Sequence, residues 1–336
     1  METTERPSIL FTGADGFIGR AAAAEIARTV GPVRAGTRRP ISQANTAARA
    51  CDLDDAAQLA AAVVGTAAVV HAAYGDESAM PRQCKGLLEA MSAAGVNNLV
   101  YLSSIAVYGE REGRVDEGMA AAGELETYAA AKAECEALVR QWAAEGGKGG
   151  IARRAIILRP GIVYGTGSRF WIDKLVTRMR AGAWGSYGEA GEGTAALVHV
   201  DDVADVIAQA CARMTGRRRL ELPEAAALNV VGPGRVSWNG YFMALAQASG
   251  VGQLGAIAPR EADVRSALAV PAKVWRRVGL PGLHALSLAA TRGERELFAI
   301  KADYAMDAAR ELLGFAPRIG LAEGLRRTRF PEVRRG

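Results

Sequence analysis

A tyrosine and a lysine stand four residues apart in the run Tyr128-Ala129-Ala130-Ala131-Lys132. On a helix that spacing puts both side chains on one face, one turn apart. A phenol moves protons at neutral pH only if its ordinary pKa of about 10 is drawn down, and a neighbouring ammonium can do this. Two hydroxyls, Ser103 and Ser104, end an apolar run that begins at Leu99, where a parallel sheet exposes its ligand-facing residues. Well upstream, Thr12-Gly13-Ala14-Asp15-Gly16-Phe17-Ile18-Gly19 repeats glycine at three-residue steps. Glycine permits unusual backbone angles and lets main-chain amides come close to a pyrophosphate at a helix N-terminus. Three glycines alone also fit a plain turn. A cofactor loop followed by a proton-transfer pair, in that order, points to nicotinamide-dependent hydride chemistry.

Positioning these groups requires strands that end together. Candidate strands are Ile9-Phe11, Val33-Thr37, Ala68-His71, Leu99-Ser103 and Ala155-Arg159. Alanine-rich stretches with three- and four-residue apolar spacing lie between them, at Gly19-Thr29, Asp55-Val64, Arg82-Ala94 and Glu126-Glu145. This β-α-β repetition predicts an α/β fold, a doubly wound parallel Rossmann sheet covered on both faces. After Pro160 the pattern loosens into a helix at Phe170-Ala181 and a glycine-rich stretch from Gly182 to Gly193. The chain is expected to return to the sheet through Leu197-Val200, a helix at Val203-Met214 and a strand at Leu228-Val231. The division that follows is a dinucleotide-binding domain over 1-165 and 197-232, with a smaller, mostly helical C-terminal substrate lobe over 166-196 and 233-336.

The end of the second strand reads Ala35-Gly36-Thr37-Arg38-Arg39. An acidic residue there accepts from the ribose hydroxyls of NAD, whereas guanidiniums pair a ribose 2′-phosphate. NADP(H) is therefore favoured, with NAD(H) possible; the alternative is that both arginines are exposed loop charges. Asp52 and Leu53, after a further short strand, are placed to flank the adenine. Ala72 and Ala73 after His71 are small enough to let the pyrophosphate side pass.

Half of the 336 residues are apolar, and the net charge of +5 is spread along an arginine-rich chain. The one short run, Arg217-Arg218-Arg219, reads as a solvated loop, and no basic stripe suggests nucleic acid. Cys51, Cys84, Cys135 and Cys211 are far apart and read as reduced thiols of a cytoplasmic protein. No signal-peptide pattern precedes Ile9, and no apolar run approaches the ~18 residues of a membrane span. His199 with Asp201 and Asp202 is read as a strand end and helix cap in preference to a metal site, so no metal is expected.

Taken together, T-G-A-D-G-F-I-G, C-D-L, H-A-A, V-Y-L-S-S-I-A-V-Y-G, Y-A-A-A-K, R-P-G-I-V-Y-G and V-H-V-D-D-V-A, in this order, resemble the extended short-chain dehydrogenase/reductase family. The likeness covers roughly 8-232, with L-G-F-A-P at Leu313-Pro317. It implies that Ser104 hydrogen-bonds the substrate oxygen, Tyr128 passes the proton, and Lys132 holds the ribose and tunes the tyrosine. It also implies cofactor contacts from Gly13, Asp15, Gly16, Phe17, Ile18, Gly19, Ser103, Tyr128 and Lys132, with Pro160 and Ile162 at the nicotinamide edge. Similar proteins often pair two helices of the sheet across a dimer, so a homodimer is possible.

Departures from the family pattern narrow the chemistry. Ile105-Ala106 stand where dehydratases carry an acidic pair. Gly193-Thr194-Ala195-Ala196-Leu197-Val198-His199 lacks the arginine that binds diphosphate in nucleotide-sugar enzymes, leaving Arg169, Arg178 or Arg180 to do so. Tyr108, Tyr164, Trp171 and Trp184 either wall a pocket or belong to the core. The leading expectation is an NADPH-dependent reductase or dehydrogenase acting on a small-molecule carbonyl or alcohol. The alternatives are a nucleotide-sugar epimerase with tightly held NAD, and a non-catalytic NADP-sensing protein.

Overall fold

The computed structural model describes residues 7–38, 46–216, 221–277 and 284–332. Arg39, the Arg217-Arg219 run and residues 278–283 lie outside the described residues. The first half runs β1 (Ile9–Thr12), α1 (Phe17–Thr29), β2 (Val33–Thr37), β3 (Thr46–Ala50), α2 (Ala56–Val63), β4 (Ala68–His71) and α3 (Met80–Ala94). It continues with β5 (Asn98–Leu102), β6 (Gly113–Val115), α4 (Thr127–Ala144) and β7 (Arg154–Pro160). The second half carries β8 (Ile162–Tyr164), α5 (Lys174–Arg180), β9 (Leu197–His199), α6 (Val200–Thr215), β10 (Ala225–Val230) and α7 (Trp238–Ala248). Then come α8 (Pro259–Arg277), α9 (His284–Ser287), α10 (Arg292–Ala299), β11 (Ala302–Tyr304), α11 (Asp307–Leu313) and α12 (Leu321–Arg327).

Among the described residues, seven strands form one sheet in the order β10-β7-β5-β4-β1-β2-β3. Every neighbouring pair is parallel. The chain builds from β1 out to β3, then crosses back to β4, so the strand order reverses between β1 and β4 and leaves a crevice at their C-terminal ends. Alternate residues along each strand face opposite ways. Ile9, Phe11, Val70, Val100 and Ile156 pack on Ala22, Ala23 and Ile26 of α1 and Val203, Val206 and Ile207 of α6. Leu10, Val69, Leu99, Tyr101 and Ile157 pack on Leu59, Leu87, Met91, Val139 and Trp142 on the other side. Burial on both faces explains why the strands read as unbroken apolar runs.

The structure differs from the sequence expectation after β7. Leu197–His199 does not rejoin the sheet; it pairs in parallel with β8 as a separate ribbon, and β10 takes the sheet edge beside β7. Pro160 has no amide with which to extend the ladder. Gly161 then passes so close to the other segment that a Cβ would lie 2.1 Å from the Ala196 carbonyl oxygen, and the Ile162 amide bonds that oxygen at 2.7 Å.

A second apolar body forms around Tyr164, Trp184, Tyr187, Trp238, Tyr241, Phe242 and Phe298, joining α5, α7 and α10. The helix expected over Phe170-Ala181 is divided into a wide π turn, Arg169–Asp173, and α5. Met306, Ala309 and Phe315, expected in the lobe, pack instead with the core of the sheet.

At the crevice Gly13 has φ +80, and a Cβ on it would sit 2.7 Å from the Ala73 backbone. A Cβ on Gly19 would lie 2.0 Å from the Gly13 carbonyl oxygen, so the first turn of α1 closes on the loop only without a side chain. Gly19→Ala is expected to lower stability by about 1–3 kcal/mol, the usual range for overpacking. Gly75→Ala, where nothing lies within 4 Å, is expected to be near neutral. Thermal unfolding of both variants checks this.

Candidate active site

Tyr128 and Lys132 both point from α4 toward the end of β5. Ala129, Ala131, Lys132, Cys135 and Glu136 form the buried side of that helix. Lys132 is 4% exposed, and its ammonium donates to the Leu102 carbonyl at 2.7 Å. It lies 5.1 Å from the Tyr101 ring centroid and 6.0 Å from that of Tyr128. Burial pulls its pKa down to about 8, against the opposing pull of Cys135, Cys84 and Glu136.

Burial pushes the Tyr128 phenol above its ordinary value, and Tyr74 and Glu77 push the same way. The Ser104 hydroxyl, placed to hydrogen-bond the phenolate, pulls it down. Lys132, expected to lower the phenol, directs its ammonium at a backbone carbonyl. The Tyr128 ring also meets Tyr74 edge-on at 5.7 Å.

The serine doublet divides. Ser104 has extended φ −160 and ψ 152 and caps the short turn Ile105–Tyr108, its oxygen accepting from the Ala106 amide. Ser103 is buried and donates its hydroxyl to Glu136 at 2.7 Å, so the side chain expected at the cofactor is already engaged.

The cofactor loop lies where the strand order reverses. Gly16 heads α1 without any side-chain cap, leaving the first helical amides for a ligand. Gly13 runs against Ala72 and Ala73, Phe17 and Ile18 pack partly on the sheet core, and Asp15 is exposed with its carbonyl held by Arg20. Below them Thr12 and His71 share a 2.7 Å hydrogen bond; burial, with Lys132 nearby, pushes His71 down to about 3, so the imidazole is neutral. Uncapped amides and a loop that excludes side chains fit a dinucleotide pyrophosphate.

Arg38 is exposed at the end of β2. The Asp54 carboxyl is held below its usual range by hydrogen bonds from Arg82 and Gln83, with smaller help from the charges of Arg82 and Arg38. The Asp52 carboxylate accepts from the Asp54 amide at 3.1 Å, and Leu53 packs beside the second core face. Pro160 is buried at the end of β7 and Ile162 is half-buried at the start of β8.

Sequence reasoning missed a buried polar network behind these residues. Arg159 grips both oxygens of Glu136, at 2.8 and 2.5 Å. It also donates to the Tyr108 hydroxyl at 2.6 Å, which donates to Asn229 at 2.8 Å. The Glu117 carboxylate accepts from the amides of Asn229, Ala308 and Ala309. The available signals were the carboxylate one turn beyond Lys132 and an arginine just before Pro160, inside a strand otherwise apolar.

Other candidates are structural. His199 caps α6 by accepting from the Asp201 amide, and the Asp202 carboxylate accepts from the amides of Arg318 and Ile319. Arg178 is buried against Trp184, 4.6 Å from its ring, and paired with Glu294 at 2.8 Å. Arg180 donates to the Pro331 carbonyl. Arg169 is exposed and, among the described residues, makes no hydrogen bond or ion pair of this kind, though its charge opposes the rise that burial gives the Asp173 carboxyl. Tyr164 and Trp184 belong to the second core, Trp171 packs beside it, and Tyr108 belongs to the buried network.

The order of the sheet and the glycine loop at its reversal point are those of a dinucleotide-binding fold. Residues 9–220 match the NAD dependent epimerase/dehydratase family, and the chain belongs to it. One curated relative, an N-acetyl-alpha-D-glucosaminyl-diphospho-ditrans,octacis-undecaprenol 4-epimerase of Escherichia coli O157:H7, is 27% identical over 123 residues. That stretch is 37% of this chain and 36% of the relative, so the match spans about a third of the relative's length. Among solved structures, MoeE5 in complex with UDP-glucuronic acid and NAD has a TM-score of 0.69 at 24% identity, covering 96% of this chain and 97% of that one. The UDP-glucose-4-epimerase of Stenotrophomonas maltophila, with bound NAD and formylated UDP-arabinopyranose, has a TM-score of 0.70 at 20% identity, covering 96% of each chain. These likenesses establish the fold, and the family match is to epimerases and dehydratases.

Lys132 carries a checkable linkage. Its pKa falls from 10.5 to about 8 on folding, so between those values the unfolded chain binds the extra proton and stability rises with pH. Below about 8 the burial cost is present in full. The stability difference between wild type and Lys132→Met is expected to rise in favour of wild type from about pH 8 to 10.5. Urea unfolding across that range measures it.

Proposed function

We propose that the chain is an epimerase acting on a sugar carried by a diphosphate, with one nicotinamide dinucleotide kept through each turnover. The observation that carries this reading is the Ser104-Tyr128-Lys132 cluster beside an uncapped glycine loop in a chain of the epimerase/dehydratase family. It is supported by the UDP-sugars and NAD bound in the similar structures and by the diphosphate-linked substrate in the relative's name.

When bound, the dinucleotide supplies first a hydride acceptor and then a hydride donor. Tyr128 takes the proton of the sugar hydroxyl as the alcohol is oxidised and returns it on re-reduction. Ser104 holds the same oxygen through its hydroxyl. Lys132, anchored on Leu102, presents its charge to the ribose and phenolate. Ile105 and Ala106 in the turn after Ser104 supply no carboxylate for elimination, which argues against a dehydratase. Arg169 is proposed as the diphosphate contact, since Arg178 and Arg180 are committed elsewhere. A cytoplasmic location is also proposed, on the four free cysteines; no helix among the described residues is long and apolar enough to cross a membrane.

Purified protein given UDP-sugars without added nucleotide is expected to interconvert epimers. Tyr128→Phe should lose that turnover by about 10²-fold or more, the contribution of a positioned acid-base group, while retaining nucleotide. Consumption of NADPH with a carbonyl compound and no epimer exchange would instead establish the reductase.

That second reading is favoured by Arg38, exposed at the end of a strand whose own last residues carry no carboxylate, although the Asp54 carboxyl lies within reach of its charge. Arg38→Ala is expected to weaken NADP binding about tenfold, the scale of one charge-assisted phosphate contact, and to leave NAD binding unchanged. Titration with both nucleotides measures the difference.

A further inference from the structure

α4 presents three polar side chains on one face at one-turn spacing: Tyr128, Lys132 and Glu136. Each meets the end of β5 or the residues just after it. Tyr128 lies beside the Ser104 hydroxyl, Lys132 donates to the Leu102 carbonyl, and Glu136 accepts from the Ser103 hydroxyl. The proposed reaction uses the first two and leaves the third unexplained.

Glu136 is 4% exposed and Arg159 is 2% exposed, so neither is a surface charge. Through Arg159 the carboxylate is tied to the residue that precedes Pro160. Through the Arg159-Tyr108 bond it is tied to the end of the turn that Ser104 caps. Ser103 is fixed at both ends, its amide donating to the Leu158 carbonyl at 2.7 Å and its hydroxyl to Glu136. A buried ion pair of this kind contributes little to stability compared with a well-packed apolar pair, so stability alone does not account for it.

We infer that Glu136, acting through Ser103, is a positioning residue that sets the Ser104 hydroxyl against Tyr128 without touching substrate or cofactor. The doublet then has separate duties: Ser103 holds and Ser104 reacts. The inference rests on the proposed use of Ser104 and Tyr128 and adds to it the group that orients them.

The test compares Ser103→Ala, Ser103→Thr and Glu136→Gln with the full-length wild type. Epimerisation of a UDP-sugar, nucleotide content, thermal unfolding and the spectrophotometric titration of the Tyr128 phenol are measured, with Tyr128→Phe as the subtraction. Ser103→Ala is expected to lower kcat about tenfold, within the range for slight misplacement of a reacting group. Its KM and nucleotide content should stay unchanged, with the Tyr128 titration shifted upward. Ser103→Thr, which keeps a hydroxyl, should restore both kcat and the titration.

Ser103→Ala with wild-type kcat and an unmoved phenol titration would overturn the inference, as would a loss confined to folding and nucleotide content. Ser103→Ala removes one neutral partner and strands no buried charge, so the inference stays testable if Glu136→Gln does not fold. Should wild type fail to epimerise any UDP-sugar, the proposed reaction falls. The shift in the Tyr128 phenol between wild type and Ser103→Ala then decides the positioning role by itself.

Discussion

Glu136 and Arg159 meet in the interior as a two-pronged ion pair, with both side chains cut off from water. Burying two such charges is unfavourable unless their remaining hydrogen-bonding capacity is satisfied. Here it is: Ser103 completes the carboxylate, and Tyr108 and the Glu117 carbonyl complete the guanidinium. The pair joins α4 to β7 across the end of β5, and the bonds beyond it reach β10 through Asn229. Glu117 carries the same web to the start of α11. Breaking one partner of a buried pair typically costs about 3–5 kcal/mol, so the strand ends that carry the chemistry cannot drift independently.

The sheet was legible because its strands are buried on both faces and therefore apolar throughout. Val33–Thr37 and Ala68–His71 begin and end where the sequence places them. The glycine loop was legible because close approach admits no other residue. Leu197–His199 was misplaced because an apolar run says nothing about its partner. The pairing turns on Gly161, which lets Ala196 come close.

The site was read less completely than the sheet. Ser104, Tyr128 and Lys132 announce themselves by type and spacing, whereas Ser103 and Glu136 are separated by over thirty residues and meet only through packing. That Ser103 turns its hydroxyl to Glu136 instead of the cofactor could not be seen from a sequence in which both are serine. Similarly, Arg178 looked available for a phosphate until folding placed it against Trp184 and Glu294. His199 was expected beside a cap and proved to be the cap itself.

As the last residue of β7, Pro160 still pairs with Val230 of β10, and beyond Gly161 the chain leaves for the ribbon of β8 and β9. One imino acid and its glycine neighbour thus stand where the chain passes from the sheet into the second apolar body.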